Sequence, residues 1–139
     1  MADEVTSFEG GCRCGQIRYT CSSTPVFIAH CHCRDCQYSA GGGFSTIVVV
    51  ASSGVDMTGD LGGFKVTADS GNDLTRKFCS NCGTPIMTEM HSNSQFMVLK
   101  AGTLDDPSWL KPSVHIWTSS GQPWSEELGE LPRFEKSPN

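Results

Sequence analysis

Apolar positions recur at a spacing of two along most of this chain. Ile17 and Tyr19 alternate with polar neighbours over Gln16 to Cys21, and a second stretch of the same kind runs from Val26 to His30 behind the turn at Pro25. That is the pattern of half-buried strands. The strongest strand signal is Phe44 to Ala51, and weaker ones lie at Val55 to Thr58, Lys65 to Ala68 and Leu74 to Phe78. Ile86 to Met90 and Phe96 to Ala101 form a pair joined by the turn-rich His-Ser-Asn-Ser at 91–94, and Val114 to Trp117 is the last strand. One segment departs from the rule. Cys33 to Tyr38 holds no β-branched residue and runs into Ala-Gly-Gly-Gly at 40–43, which predicts one short helical turn stopped by glycine. The expected fold class is therefore mainly β with that single turn of helix.

Composition narrows the class. The 139 residues and 15.0 kDa suit one domain over residues 1–139, long enough to bury a core without disulfides. Fifteen glycines and seven prolines favour turns and short strands over long helices. The tail after Gly121, with Trp124, Leu128, Leu131 and Phe134, is expected to pack on one end of the core, and Glu135 to Asn139 to fray. A net charge of -5 argues against a nucleic-acid surface. The start carries no basic stretch followed by an apolar one, and the longest apolar run, Ile47 to Ala51, is too short to span a bilayer. The expected address is the cytoplasm, with no membrane partner, where the eight cysteines stay reduced.

Seven of those cysteines fall into three clusters, Cys12-Arg-Cys14, Cys31-His-Cys33-Arg-Asp-Cys36 and Cys79-Ser-Asn-Cys82-Gly83. Tetrahedral Zn²⁺ takes four ligands, each sulfur at about 2.3 Å, so seven thiolates divide into a set of four and a set of three, and the chain reads as a two-zinc protein. Cys12 and Cys14 on a strand face one side, yet about 6.5 Å apart at Cα, so the backbone must curl to bring both sulfurs to one ion. Cys79 and Cys82 have the C-x-x-C spacing of a zinc knuckle, and Gly83 behind them can take the positive φ that closes it. These four make a structural site that ties residue 12 to residue 82, with binding energy of ~10 kcal/mol or more acting as folding energy.

Cys31, Cys33 and Cys36 place three thiolates within six residues and leave one vertex of a tetrahedron to another group. With water or a substrate there, the zinc is a Lewis acid that can bind an incoming thiol and deprotonate it. With His30, His32, His115 or Cys21 there, the site is closed and structural. Both alternatives are open at this point.

The segments Gly11-Cys12-Arg13-Cys14-Gly15, Cys31-His32-Cys33-Arg34-Asp35-Cys36, Phe78-Cys79-Ser80-Asn81-Cys82-Gly83-Thr84, Gly102-Thr103-Leu104-Asp105-Asp106-Pro107 and His115-Ile116-Trp117 carry a further signal. In this order, over about residues 8–117, they resemble the motifs of the glutathione-dependent formaldehyde-activating enzymes, a domain shared with centromere protein V. The resemblance implies a mostly β fold of the Mss4-like type. It also implies two Zn²⁺ per chain, a structural one on Cys12, Cys14, Cys79 and Cys82 and a catalytic one on Cys31, Cys33 and Cys36. The implied activity is a carbon–sulfur lyase reaction joining glutathione and formaldehyde as S-hydroxymethylglutathione. Two alternatives stand beside it: the same chemistry on a different glutathione conjugate, and a binding module in which both zincs only hold loops. A zinc carrying three thiolates has a formal charge of -1 and favours thiol over water activation.

The remaining residues divide between ordinary and functional roles. Arg34 and Asp35 either orient a substrate carboxylate and accept a proton, or form a solvated pair on a tight turn. His32, between two ligands, points away from the metal if that stretch is extended. His115 reads as a hydrogen-bonded core histidine that could also line a pocket, and Cys21 as a small buried hydrophobe. Asp105, Asp106 and Pro107 make a turn. Arg76 and Lys77 read as a solvated strand face, or as a hold on glutathione carboxylates. Gln37 and Tyr38 follow the third cysteine where family members often carry basic residues.

Overall fold

The computed structural model describes residues 5–126, 129 and 131–138. Mostly β, it holds two sheets and one α-helix among those residues. A three-stranded antiparallel sheet is ordered β1-β2-β5, from Phe8–Gly11, Arg18–Cys21 and Val55–Thr58. The larger sheet has β3 (Phe27–Cys31), β4 (Ser45–Ala51), β6 (Leu61–Thr67), β7 (Asp73–Cys79), β8 (Pro85–Met90), β9 (Phe96–Lys100) and β10 (Val114–Ile116). Its order is β10-β3-β4-β9-β8-β7-β6, antiparallel throughout except that β10 lies parallel to β3.

The period of two divides the larger sheet into two working faces. On one face Val48, Val50, Met87 and Leu99 join Phe8, Ile17, Tyr19 and Cys21 from the smaller sheet's side in a single core, with Ile28 and Met97 at its edge. Full burial of side chains such as Val48 and Leu99 contributes roughly 1.5–3 kcal/mol each. On the other face Ala29, Cys31, Ile47 and Val98 form a second cluster with Cys33 and Cys36. No sheet covers this second face among the described residues, and a cavity opens there.

Two stretches differ from the sequence pattern. β1 lies outside the period-two pattern, because Phe8 is followed only by Glu-Gly-Gly and glycine weakens a strand. Its glycine is required where the sheet crosses the 101–104 segment: a Cβ on Gly10 would run into the Thr103 carbonyl and the Tyr19 ring. Tyr19 is 1% exposed and its hydroxyl bonds Thr103 Oγ1 at 2.7 Å; burial pushes the phenol up to about 12. β6 begins at Leu61, earlier than alternation suggested, because Gly62 lies against the Phe78 ring, where a Cβ would approach to 2.6 Å.

The tail meets the body through Gln122, which bonds Gln37, through the buried Ser125 and through one side of the Trp124 ring at Gly43. Trp124, Leu131 and Phe134 are 60%, 58% and 59% exposed, so these side chains do not enter the core, and Leu128 lies outside the described residues. No helix among the described residues is long and apolar enough to cross a membrane.

Gly10→Ala should cost about 1–3 kcal/mol in urea denaturation, as overpacking of a filled site does. Gly102→Ala, where an added Cβ meets nothing within 4 Å, should stay within about 0.5 kcal/mol of the parent.

Candidate functional site

The first cysteine group is built from two facing turns. β1 ends at Gly11 and the chain curls through Cys12 to Cys14, closed by a Gly15 N–H to Cys12 carbonyl bond of 3.2 Å. After β7 the Cys79–Cys82 knuckle closes in the same way, the Gly83 N–H donating to the Cys79 carbonyl at 2.9 Å with Gly83 at φ 79°. Backbone N–H groups point at the sulfurs: Ile17 N donates to Cys12 Sγ at 3.2 Å and Cys82 N to Cys79 Sγ at 3.4 Å. The Thr84 hydroxyl, 3.1 Å from Cys82 Sγ, brings that thiol down to about 5. Cys12 and Cys79 are buried, Cys14 and Cys82 exposed.

The second group comes from one continuous segment. Cys31 closes β3, and Cys33 is the N-cap of α1 (Arg34–Ala40), its Sγ accepting from Cys36 N at 3.3 Å. The helix ends where glycine predicted it: Gly41 is left-handed at φ 72° and its N–H returns to the Gln37 carbonyl at 2.8 Å. A thiol that caps a helix thereby swings Cys36, one turn on, toward Cys31 and Cys33.

Both groups suit a metal ion, and their all-sulfur donor sets are consistent with zinc. All ligand sulfurs within each group lie within 4.8 Å of one another. Cys12–Cys14 is 3.5 Å, Cys14–Cys79 is 3.7 Å and Cys31–Cys33 is 3.5 Å, against a tetrahedral edge of ~3.8 Å for sulfurs at ~2.3 Å from zinc. The charge balance points the same way. Hydrogen bonds with Cys31 and Cys36 hold the Cys33 thiol below the usual range, while those with Cys31 and Cys33, then burial, push Cys36 up. Three buried sulfurs at this spacing cannot all ionise without a cation among them.

A cavity of about 170 Å³ opens beside this trio. Ile47, Leu74, Met90 and Val98 wall it, and Cys31, Cys33 and Cys36 form one side. Trp117 lines it from a backbone at φ 59°, the one positive-φ position other than glycine among the described residues. For a bulky side chain that conformation costs of order 1–3 kcal/mol, and it ends β10 one residue earlier than alternation predicted. Charged side chains of both signs complete the lining, Arg76 and Lys100 with Asp35 and Asp69. Lys100, only 9% exposed, donates from Nζ to Ser39 Oγ at 2.9 Å and Ser45 Oγ at 3.0 Å. Arg76, on the face turned toward the cavity rather than to solvent, donates to Thr88 Oγ1 at 3.5 Å. Lys100 escaped the sequence reading altogether; its one signal was a lysine closing an apolar strand.

The other candidates resolve clearly. Asp35 is half-buried and lines the cavity, whereas Arg34 bonds Gln37 Oε1 and stacks 4.8 Å over the Tyr38 ring. His30, His32 and His115 sit together behind the trio around a separate cavity of 500 Å³, and none joins the three sulfurs as a fourth ligand atom in that group. His32 is buried with Nε2 2.9 Å from His115 Nδ1. His115 is a correction: it is exposed, because β10 is an edge strand, and not a core residue. Cys21 is 1% exposed inside the core, far from a ligand role. Asp106 makes the expected turn, accepting from Ser108 N at 3.0 Å, while Asp105 instead pairs with Arg18. Lys77 pairs with Glu89 at 3.6 Å on the face opposite Arg76.

Gln37, 5% exposed, clamps the region. Its Nε2 donates to the His32 carbonyl at 2.7 Å and to the Ser120 carbonyl at 3.0 Å, and Gln122 donates to its Oε1 at 3.0 Å. That is why a neutral amide follows Cys36. Gln37→Leu, which strands two carbonyls, should cost about 1–3 kcal/mol in urea denaturation.

No curated protein matches the chain. A crystal structure of a Rhodobacter sphaeroides protein is similar at a TM-score of 0.59 and 17% identity, covering 77% of this chain and 98% of that one; at that identity the likeness speaks for the fold. Residues 7–120 match the family described as glutathione-dependent formaldehyde-activating enzyme, a span that contains all seven clustered cysteines and the cavity's Arg76, Lys100 and Trp117. With that match over most of its length, the chain belongs to the glutathione-dependent formaldehyde-activating enzyme family.

Proposed function

We propose that the chain is a zinc-dependent carbon–sulfur lyase, working in either direction, that adds a thiol such as glutathione to a small aldehyde such as formaldehyde. The observation that carries this reading is the convergence of Cys31, Cys33 and Cys36 as a group of three on the wall of a cavity. Family membership supports glutathione and formaldehyde as the reacting pair. In this reading Cys12, Cys14, Cys79 and Cys82 hold a structural zinc and Cys31, Cys33 and Cys36 a catalytic one. Zinc bound by the trio supplies Lewis acidity toward a thiol. The eight cysteines, all free of disulfides, suit the reducing cytoplasm.

The residues around the trio supply the rest. Ile47, Val98, Leu74 and Met90 keep water from the carbonyl carbon, where hydration of an aldehyde competes with thiol addition. Trp117 narrows the mouth. The addition is redox-neutral. The thiol proton leaves to solvent, a sulfur lone pair bonds the carbonyl carbon, and the carbonyl oxygen takes up a proton to become the hydroxyl of the product. No covalent bond to a protein side chain is needed.

Adduct exchange between formaldehyde and glutathione, followed by NMR, should be faster with the zinc-loaded protein than in buffer, and Cys33→Ser should return it to the buffer rate. Equal rates for both proteins and buffer would remove this substrate pair. X-ray absorption showing four protein ligands on every zinc would favour the alternative, a zinc-stabilised binding module. Cys82→Ser should lose one of two metal equivalents and several kcal/mol of stability in denaturant titrations, since ligation of a structural zinc is folding energy. Cys33→Ser should also lose one equivalent, with a smaller loss of stability.

A further inference from the structure

The cavity beside Cys31, Cys33 and Cys36 is larger than formaldehyde needs. Its volume is about 170 Å³, whereas a one-carbon aldehyde fills little more than the roughly 30 Å³ share of a water molecule. The surface that lines it is mostly apolar, and the strand register explains why. Side chains at alternate positions stand on one face of a sheet, so Ile47 of β4, Val98 of β9, Met90 of β8 and Leu74 of β7 share the face that carries Cys31. Leu74 stands directly across from Met90. The apolar strip therefore starts beside the sulfur trio and crosses β4, β9, β8 and β7 in turn. The charged groups of the lining do not change its character. Arg76 and Lys100 are matched in number by Asp35 and Asp69, which leaves no excess of either sign for a charged substituent. Lys100 Nζ is already held by the Ser39 and Ser45 hydroxyls, and Arg76 donates to the Thr88 hydroxyl at 3.5 Å.

An apolar cavity of ~150 Å³ stays dry and binds benzene, so a space of similar volume holds an apolar group of about six carbons. Of the two reactants in the proposed addition, glutathione is the wrong one to fill it. Beyond its thiol methylene it is a charged tripeptide, and setting its carboxylates and ammonium against Ile47, Val98, Met90 and Leu74 would cost more than it returns. The aldehyde is the reactant that can carry an apolar chain. We infer, on the reading of the trio as the site of thiol addition, that the substrate is an aldehyde bearing a straight apolar chain of about four to six carbons. The chain lies along Ile47, Val98, Met90 and Leu74, with the carbonyl at the trio. The bond changes balance without an oxidant or reductant: the thiol sulfur bonds the carbonyl carbon, the C=O π bond opens, and the oxygen gains the proton that the thiol gives up. The apolar chain adds binding that formaldehyde cannot make. Because that contact is the same before and after the S–C bond forms, it lowers the aldehyde concentration needed for half-saturation and leaves the saturated rate alone.

The test uses the full zinc-loaded chain with glutathione and, in turn, formaldehyde, butanal, pentanal and hexanal, adduct exchange being followed by NMR and concentrations referred to the unhydrated aldehyde. The half-saturating concentration should fall about fourfold for each methylene from butanal to hexanal, the return for burying one CH₂, and formaldehyde should lie more than about tenfold above hexanal. The saturated rate should change by less than about twofold from butanal to hexanal. 1-Hexanol, which cannot add a thiol, reports the same seat without turnover by shifting the methyl resonances of Ile47 and Val98. Met90→Trp, which fills the space, should abolish that shift and remove the preference for hexanal over formaldehyde; if it does not fold, Leu74→Phe is scored in its place. A flat or rising series, or Ile47 and Val98 methyls unmoved by 1-hexanol, would overturn the inference, while turnover of formaldehyde in the same experiment would leave the thiol-addition reading intact. No acceleration with any of the four aldehydes would overturn that reading and the inference with it.

Discussion

The register of β3 is the constraint on which the functional end of the molecule depends. Backbone bonds hold this strand on both edges, antiparallel to β4 and parallel to β10, with His30 opposite both Thr46 and His115. Because successive side chains alternate between faces, Cys31 is then delivered to the side of Ile47 and Val98, while His30 goes to the other side, its Nδ1 bonding Thr46 Oγ1 at 2.8 Å. A slip of one residue would exchange sulfur for imidazole throughout. The parallel partner β10 prevents such a slip by pairing Ile116 with Cys31, and the His32 N–H donating to the Ile116 carbonyl at 2.9 Å carries the pairing one residue beyond the strand.

The two cysteine groups do different mechanical work. The set of four joins the turn that leaves the small sheet at β1 to the turn that leaves β7 in the large one, so an ion there clamps sheet to sheet across 70 residues of chain, from Cys12 to Cys82. Its Cys14 and Cys82 are exposed to solvent. The set of three closes almost no loop, lying within one strand end and one helical turn. A metal there adds little chain constraint, and the fold surrounds the trio with a strained Trp117, apolar walls and charged side chains of both signs. Local expense without architectural return is what sets the trio apart from the set of four.

Much of this was legible in the chain. Cysteine spacing gave both groups, since ligands two or three residues apart need only local turns to converge. The helix was legible because Cys33 to Tyr38 lacks β-branched residues and Gly41 stops it. What escaped was settled by tertiary contact. β1 exists because Gly10 fits against Tyr19 and Thr103, a fact no local propensity encodes. Lys100 looks like an ordinary strand-end lysine until Ser39 on the helix and Ser45 on β4 close over it. Arg76 and Lys77 read together as a solvated strand face, yet alternation along β7 sends Arg76 to the cavity and Lys77 to Glu89 on the opposite side. His115 was expected inside because its neighbours are apolar, yet an edge strand leaves it outside.

Long-range and short-range electrostatics act at different places in this molecule. The net charge of -5 acts over distances that salt of physiological strength screens within about 8 Å. Inside the cavity the signs are mixed, because Arg76 and Lys100 line it together with Asp35 and Asp69. Apolar walls lower the effective dielectric there, so a charge of either sign acts more strongly on a group inside the cavity than a surface charge does. An arrangement of this kind does not accelerate encounter; it shifts the protonation balance of a titratable group that is already in place.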